Sequence, residues 1–201
     1  MSQHTSPRYL HENWIDILRQ LAQQNPDAKA FGFLVDGESE EQQLSYAELD
    51  RQARSIAATL QDLGAEGDRV LLLYPPGLEF IPAFMGCLYA GAVAVPAYPP
   101  DPTRLARSLP RLQAIAADAQ TRIVLTTHQI HQLAGALFGI APEFQTMAWI
   151  GTDALPDRSG SWHRPAVQNE TLAVLQYTSG STGTEGLPQG RSTGGPSELL
   201  T

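Results

Sequence analysis

The sequence predicts an α/β fold, a layered and largely parallel sheet flanked by helices, the architecture of one main domain. Three observations predict it. A short, wholly apolar run at Val70–Tyr74 has the composition of a strand covered on both faces, and Ile123–Thr126 reads as a further strand. Segments with helical spacing lie between these runs, so strands and helices alternate along the chain. The chain is 201 residues long and 42% hydrophobic, enough to bury a sizeable core.

The elements follow in order. Trp14, Ile15, Ile17, Leu18 and Leu21 recur with helical spacing, and Asn25-Pro26 ends that helix. Ala30–Val35 reads as a strand, Asp36-Gly37 as a turn, and Gln43–Tyr46 as the hairpin partner. Ser45 and Glu48 form a capping box, in which each side chain satisfies the other's backbone N–H. The helix they open carries Leu49, Ala53, Ile56, Ala57, Leu60 and Leu63 on one face, and Gly64 closes it.

Residues 80–100 carry no charge and have the length of a membrane span. Pro82, Gly86, Gly91, Pro96, Pro99 and Pro100 break the segment up. It reads instead as a buried helix near 79–90, with Pro82 in its first turn and Gly91 as its stop, then a strand at 92–96. A helix from Ser108 to Ala119 follows, with Pro110 placed in its first turn. Ile123–Thr126 is the next strand, His128–Phe138 a helix and Thr146–Ile150 a strand. Residues 151–169 are rich in Pro, Gly and polar types and read as loop, and Thr171–Tyr177 as the last strand. Residues 185–201 show no periodicity and are expected to be a disordered tail.

Charge and cysteine content narrow the function. Thirteen Lys+Arg against 21 Asp+Glu give a net charge of −8, which argues against nucleic acid and anionic membrane surfaces as partners. The single cysteine, Cys87, precludes an internal disulfide and fits a reducing compartment; its apolar neighbours suit a buried structural thiol. Residues 1–20 lack the apolar core of a secretory signal, so a cytoplasmic protein is expected.

The most informative segment is Tyr177-Thr178-Ser179-Gly180-Ser181-Thr182-Gly183-Thr184. Gly lets the backbone approach an anion closely, successive N–H groups form a concave anion site, and hydroxyls add rotatable donors. Composition alone also suits a flexible Ser/Gly linker. The string sits tight against a strand rather than between domains, which favours a phosphate cradle. The Gly-Lys-Ser/Thr ending of nucleotide triphosphatases is absent, and the only lysine is Lys29. Within this segment there is neither a dinucleotide fingerprint nor a nucleophile elbow.

Other clusters read more simply. His128 and His131 have a spacing that serves metals, but no Cys or carboxylate pattern accompanies them, so a solvated helix face is the reading and no metal ligand is assigned. Arg104, Arg107 and Arg111 lie on neighbouring turns; they could attract an acidic group, but a solvated basic face is the default reading. The Tyr-Pro-Pro strings at 74–76 and 98–100 terminate strands or, alternatively, offer extended Pro-rich ligand segments.

The loop resembles the ATP-phosphate loop of the adenylate-forming, or AMP-binding, enzyme superfamily. "LSYAELDRQAR" (44–54), "GDRVLLLYPPGLEF" (67–80), "GCLYAGAVAVPAYPPDP" (86–102) and "RLQAIAADAQ" (111–120) resemble its fatty acyl-AMP ligase branch, with "VPAYPP" pointing to that branch in particular. The resemblance runs from about Trp14 to Thr184. It implies that residues 1–184 are the N-terminal portion of an adenylation domain and 185–201 a divergent tail. It implies a parent reaction of fatty acid with ATP to acyl-adenylate and pyrophosphate, with Mg²⁺ held by phosphates and water. The acyl group would pass to an acyl carrier protein or a polyketide or peptide synthetase.

By the same resemblance Thr178, Ser179, Gly180, Ser181, Thr182, Gly183 and Thr184 would hold the β- and γ-phosphates of ATP. The family continues this loop with Pro-Lys-Gly, whereas here Gly186 stands where the lysine belongs. The family's ribose-gripping acid, hinge and catalytic lysine all lie farther downstream, so no catalytic residue is assigned. Family members are several-fold longer, and this chain is expected to be a truncated ligase inactive alone. The alternative is a non-catalytic remnant or a weak nucleotide-binding module.

Overall fold

The computed structural model describes residues 13–39, 41–168 and 170–178. Helix α1 spans Trp14–Gln24, and the Asn13 side chain caps it by accepting from the Asp16 N–H. Strands β1 (Lys29–Leu34) and β2 (Glu41–Ser45) pair antiparallel as a separate hairpin. Helix α2 spans Tyr46–Asp62 and opens on the expected capping box between Ser45 and Glu48. Then come β3 (Arg69–Leu73), α3 (Phe80–Ala90), β4 (Val93–Ala97), α4 (Leu105–Ala119), β5 (Ile123–Thr126), α5 (His128–Phe138) and β6 (Ala148–Gly151).

The main sheet is parallel, in the order β4-β3-β5-β6. Alternation along its strands divides the core into two layers. Val70, Leu72, Ala94, Ile123 and Leu125 face α2 and α3, with Ile15 and Leu18 of α1 joining them. Leu71, Leu73, Val95 and Val124 face the other way, onto Leu109, Leu112 and Ile115 of α4 and onto Phe144. This period-two partition, with both faces covered, is why Val70–Leu73 and Ile123–Leu125 are uninterrupted apolar runs.

Gly91 ends α3 at φ 70°, a left-handed value that favours glycine, and its N–H caps the helix on the Leu88 carbonyl. Pro82 lies in the first turn of α3, as expected.

Four elements differ from expectation. Strand β2 runs Glu41–Ser45 rather than Gln43–Tyr46, because Tyr46 is already the first residue of α2. Helix α4 begins at Leu105, not Ser108, so Pro110 is its sixth residue rather than a first-turn proline. The start is set upstream: the Asp101 side chain accepts from the Thr103 N–H at 2.8 Å, and Pro102 opens a 3₁₀ turn that runs into α4. Thr146 belongs to a 3₁₀ turn, Pro142–Thr146, and β6 starts only at Ala148. The run 171–177 is not a full strand. It meets the sheet through one parallel bridge, Ala94 to Val174, with the Ala94 N–H donating to Ala173 O and the Leu175 N–H donating to Ala94 O, both at 2.9 Å.

Candidate nucleotide site at the carboxyl ends of the strands

In open parallel sheets, ligands bind beyond the carboxyl ends of the strands. Those ends converge on a group of hydroxyls. Thr126, the last residue of β5, donates its hydroxyl to Leu73 O of β3 at 2.6 Å. The Thr152 hydroxyl, just past β6, donates to Thr126 O at 3.4 Å and lies 2.7 Å from the Tyr74 hydroxyl, just past β3. A hydroxyl has one proton, so Tyr74 is the donor in that contact. Burial pushes the Tyr74 phenol pKa far up, so it stays neutral. These hydroxyls tie three strand ends together, and all three protons are committed to that network. Next to them, the Asp153 carboxylate accepts from the His128 N–H at the start of α5, at 2.5 Å.

On the other side of β4, the segment bridged at Val174 runs in the same direction as the sheet and reaches Tyr177 and Thr178. Tyr177 donates its hydroxyl to the Asp118 carboxylate of α4 at 2.5 Å, which anchors the root of the loop against that helix. Burial first, then the Asp118 carboxylate, push the Tyr177 phenol up to about 12. Thr178 is exposed at the carboxyl end of this segment. Of the phosphate-loop residues read from sequence, it alone is among the described residues. Ser179, Gly180, Ser181, Thr182, Gly183 and Thr184 lie outside them, as do Gly186 and the 185–201 tail.

Two cavities lie elsewhere. One of about 400 Å³ is lined by Trp14, Ile17, Leu88, Gly91, Leu172 and Ala173, at the amino ends of β4 and of the bridged segment. It is at the opposite end of the sheet from Thr178. The other, of about 580 Å³, is at the carboxyl ends near Leu78 and Thr152. It presents the carboxylates of Glu79, Asp153 and Asp157 against one guanidinium, Arg51, which already pairs with Asp157. That charge is the wrong sign for a triphosphate.

The remaining sequence candidates resolve simply. His128 lies 2.8 Å from Gln132 Nε2, and no His/Cys/Asp/Glu group with metal-site geometry occurs among the described residues. Cys87 is fully buried and its thiol pKa is pushed up by desolvation, so it is an inert core residue. Among the described residues, no helix is long and apolar enough to cross a membrane. Sequence reasoning missed the Tyr74, Thr126 and Thr152 group. The available signal was positional, since each sits at or just past the end of a strand.

A family model described as "AMP-binding enzyme" matches residues 18–185. The chain is 49% identical over 172 residues to the medium-chain-fatty-acid–[acyl-carrier-protein] ligase JamA of Moorena producens, covering 85% of this chain and 29% of that protein. It is 38% identical over 142 residues to the long-chain-fatty-acid–AMP ligase FadD32 of Mycolicibacterium smegmatis, covering 69% of this chain and 22% of that one. The crystal structure of a fatty acyl-adenylate ligase from L. pneumophila, in complex with acyl adenylate and pyrophosphate, superposes with a TM-score of 0.71 at 40% identity. That match covers 84% of this chain and 28% of the ligase. The chain thus spans under a third of the length of each of these proteins.

Proposed function

The chain belongs to the AMP-binding enzyme family, in which the relatives just described are fatty acyl-AMP ligases, and from that premise we propose that it forms the N-terminal portion of an adenylation domain. Residues 1–184 make up that portion and 185–201 a separate tail. The reaction it serves is ATP-dependent activation of a fatty acid to acyl-AMP with release of pyrophosphate, followed by transfer to a carrier-protein thiol, in the cytoplasm.

One observation carries this reading. The parallel bridge at Ala94 and Val174 brings Thr178, the first residue of the string after Tyr177, to the carboxyl end of the sheet, where a ligand site belongs. There the backbone N–H and hydroxyl groups of Thr178–Thr184 would hold the β- and γ-phosphates while the carboxylate attacks the α-phosphate. Mg²⁺ would be held mainly by phosphate and water oxygens. These 201 residues supply one wall of such a site. Positioning and charge stabilisation provide most of the rate in this chemistry, and both need the opposite wall. The isolated 201-residue polypeptide is therefore expected to bind MgATP in the millimolar range at best, about −4 kcal/mol, and to release no pyrophosphate.

A chimera tests the reading. Residues 14–184 replace their counterpart in the full-length JamA ligase. Fatty-acid-dependent pyrophosphate release, abolished by Thr182→Ala, is expected. A soluble chimera without release overturns the proposal. A second reading, a non-catalytic nucleotide-binding module, is favoured by Gly186 alone. It gains support if extending the exchange through Pro188, which imports Gly186, silences an otherwise active chimera.

A further inference from the structure

The net charge of −8 makes any concentration of unpaired positive charge on this chain conspicuous. Most described cations are engaged. Lys29, Arg51, Arg54, Arg122, Arg158 and Arg164 each pair with a carboxylate, and Arg19 stacks over Trp162. Arg69, at the start of β3, is unpaired among the described residues but isolated, whereas Arg104, Arg107 and Arg111 are grouped. All three are exposed, and their guanidinium groups make no hydrogen bond or ion pair among the described residues.

Their spacing, i, i+3 and i+7, puts them on one face of α4 and the turn before it, over roughly 10 Å. The opposite face carries Leu109, Leu112 and Ile115 into the core. The charges do nothing for the helix: no acidic residue occupies its first turn, where cations oppose the helix dipole. Asp101 and Asp118 bracket the stripe; Thr103 and Tyr177 hydrogen-bond to their carboxylates, and Arg104 acts on Asp101 through charge without an ion-pair contact.

Tyr98, 85% exposed, lies on the loop that leads from β4 into the stripe. Its loop is tied to α4 where the Asp101 N–H donates to the Ser108 hydroxyl at 3.1 Å. Arginine and tyrosine are the residue types enriched where proteins meet. A nucleotide would be held in a concavity, and neither cavity described above is lined by these four residues.

We infer that Tyr98, Arg104, Arg107 and Arg111 form a docking surface for an acidic protein partner. This rests on the adenylation reading, which requires a carrier protein to receive the acyl group, and it places that partner on α4 at the carboxyl-end side of the sheet.

The test uses the 201-residue chain and a labelled, acidic holo acyl carrier protein as the probe, with anisotropy as the readout and MgATP titrated separately. Wild-type chain is expected to bind the carrier and to weaken as salt is raised. The R104Q/R107Q/R111Q variant should bind about tenfold more weakly, since each exposed ion pair is worth only a few-fold. R104K/R107K/R111K should stay close to wild type, and circular dichroism should show every variant folded. MgATP binding should be the same in all. The two readings separate cleanly: carrier binding by the 201-residue chain supports the docking surface, whereas a soluble JamA chimera without pyrophosphate release counts against the adenylation reading. The inference is overturned if wild type does not bind the carrier or if the glutamine variant binds within twofold of wild type. It is overturned equally if that variant loses MgATP in parallel, which would make the face a phosphate site.

Discussion

Gly86 of α3 lies so close to Ile56 of α2 that a β-carbon at position 86 would fall 2.6 Å from Ile56 Cγ2 and 2.8 Å from its Cβ. The two helices form the main layer on that face of the sheet, and the approach depends on the missing side chain. The nearest obstacle is at the branch point of a β-branched residue, which has little rotameric freedom to yield.

Gly86→Ala is therefore expected to destabilise the fold by about 2 kcal/mol through overpacking, despite the better helix propensity of Ala. Ile56→Ala alone should cost about 3 kcal/mol as a cavity. Combined, the two should cost less than their sum by more than about 1 kcal/mol, because the new methyl fills the space left by Ile56. Urea titrations of the four proteins check this; strict additivity would mean the helices simply move apart.

A second expectation concerns the stretch 155–168, which lies as a strap across α2 and α3. Trp162 is its main anchor. Its Nε1–H donates to Tyr89 O at 2.8 Å, its ring lies 5.3 Å from the Tyr89 ring, and Arg19 sits 4.9 Å above it. Trp162→Ala should cost about 3 kcal/mol and Trp162→Phe about 1 kcal/mol, the latter for the hydrogen bond. Hydrogen exchange should show protection lost along 155–168 before it is lost in β3. Uniform loss across the chain would contradict the strap as a separate layer.

Much of the fold was legible because its determinants are local. The Ser45–Glu48 capping box, the Gly91 stop and the apolar runs of β3 and β5 each lie within a few residues of what they control. The strap was not legible, because its partners are far away in sequence: Trp162 reaches Tyr89, Gln61 reaches His163, and Arg164 reaches Asp16. The misplaced start of α4 shows two local signals in competition. Asp101-Pro102 and Ser108-x-Pro110 both resemble a helix start, and the one with a side-chain acceptor on a backbone N–H prevails. At the candidate site the Ser/Thr/Gly motif was readable as chemistry, whereas the Tyr74–Thr152 contact follows from strand order, which only the three-dimensional fold reveals.

The strap also sets an acid dependence. The Ser159 N–H, with the Ser55 hydroxyl and Arg51, holds the Asp157 carboxyl well below its usual range. A hydrogen bond from Arg164 lowers Asp16 in the same way. Both folded-state values lie below those of the unfolded chain, so the unfolded state binds more protons as pH falls. The stabilisation is fully present above the ordinary aspartate value of about 4 and is lost as pH falls through the folded values. Urea midpoints should be flat from neutral pH to about 5 and decline below about 4. Asp157→Asn should lower stability at pH 7 and flatten the decline. An unchanged slope in that variant would assign the acid sensitivity elsewhere.

The last expectation concerns the sheet edge. The apolar runs of the chain divide sharply. Val70, Leu71, Leu72 and Leu73 are wholly covered within this chain, whereas Leu172 is 51% exposed and Val174 39%. The segment carrying those two is joined to β4 by a single bridge, and no described strand pairs with its outer side. An apolar edge with free backbone donors and acceptors is a template for another strand. Each large side chain it would bury on association is worth about 1.5–3 kcal/mol. The 201-residue polypeptide is therefore expected to self-associate with rising concentration in sedimentation velocity. Val174→Lys, which puts a charge on that edge without touching β3 or α2, should shift it toward monomer at unchanged thermal stability. A wild-type chain that stays monodisperse and monomeric would show that the single bridge at Ala94 leaves the segment too weakly ordered to act as a template, and the edge would then be harmless.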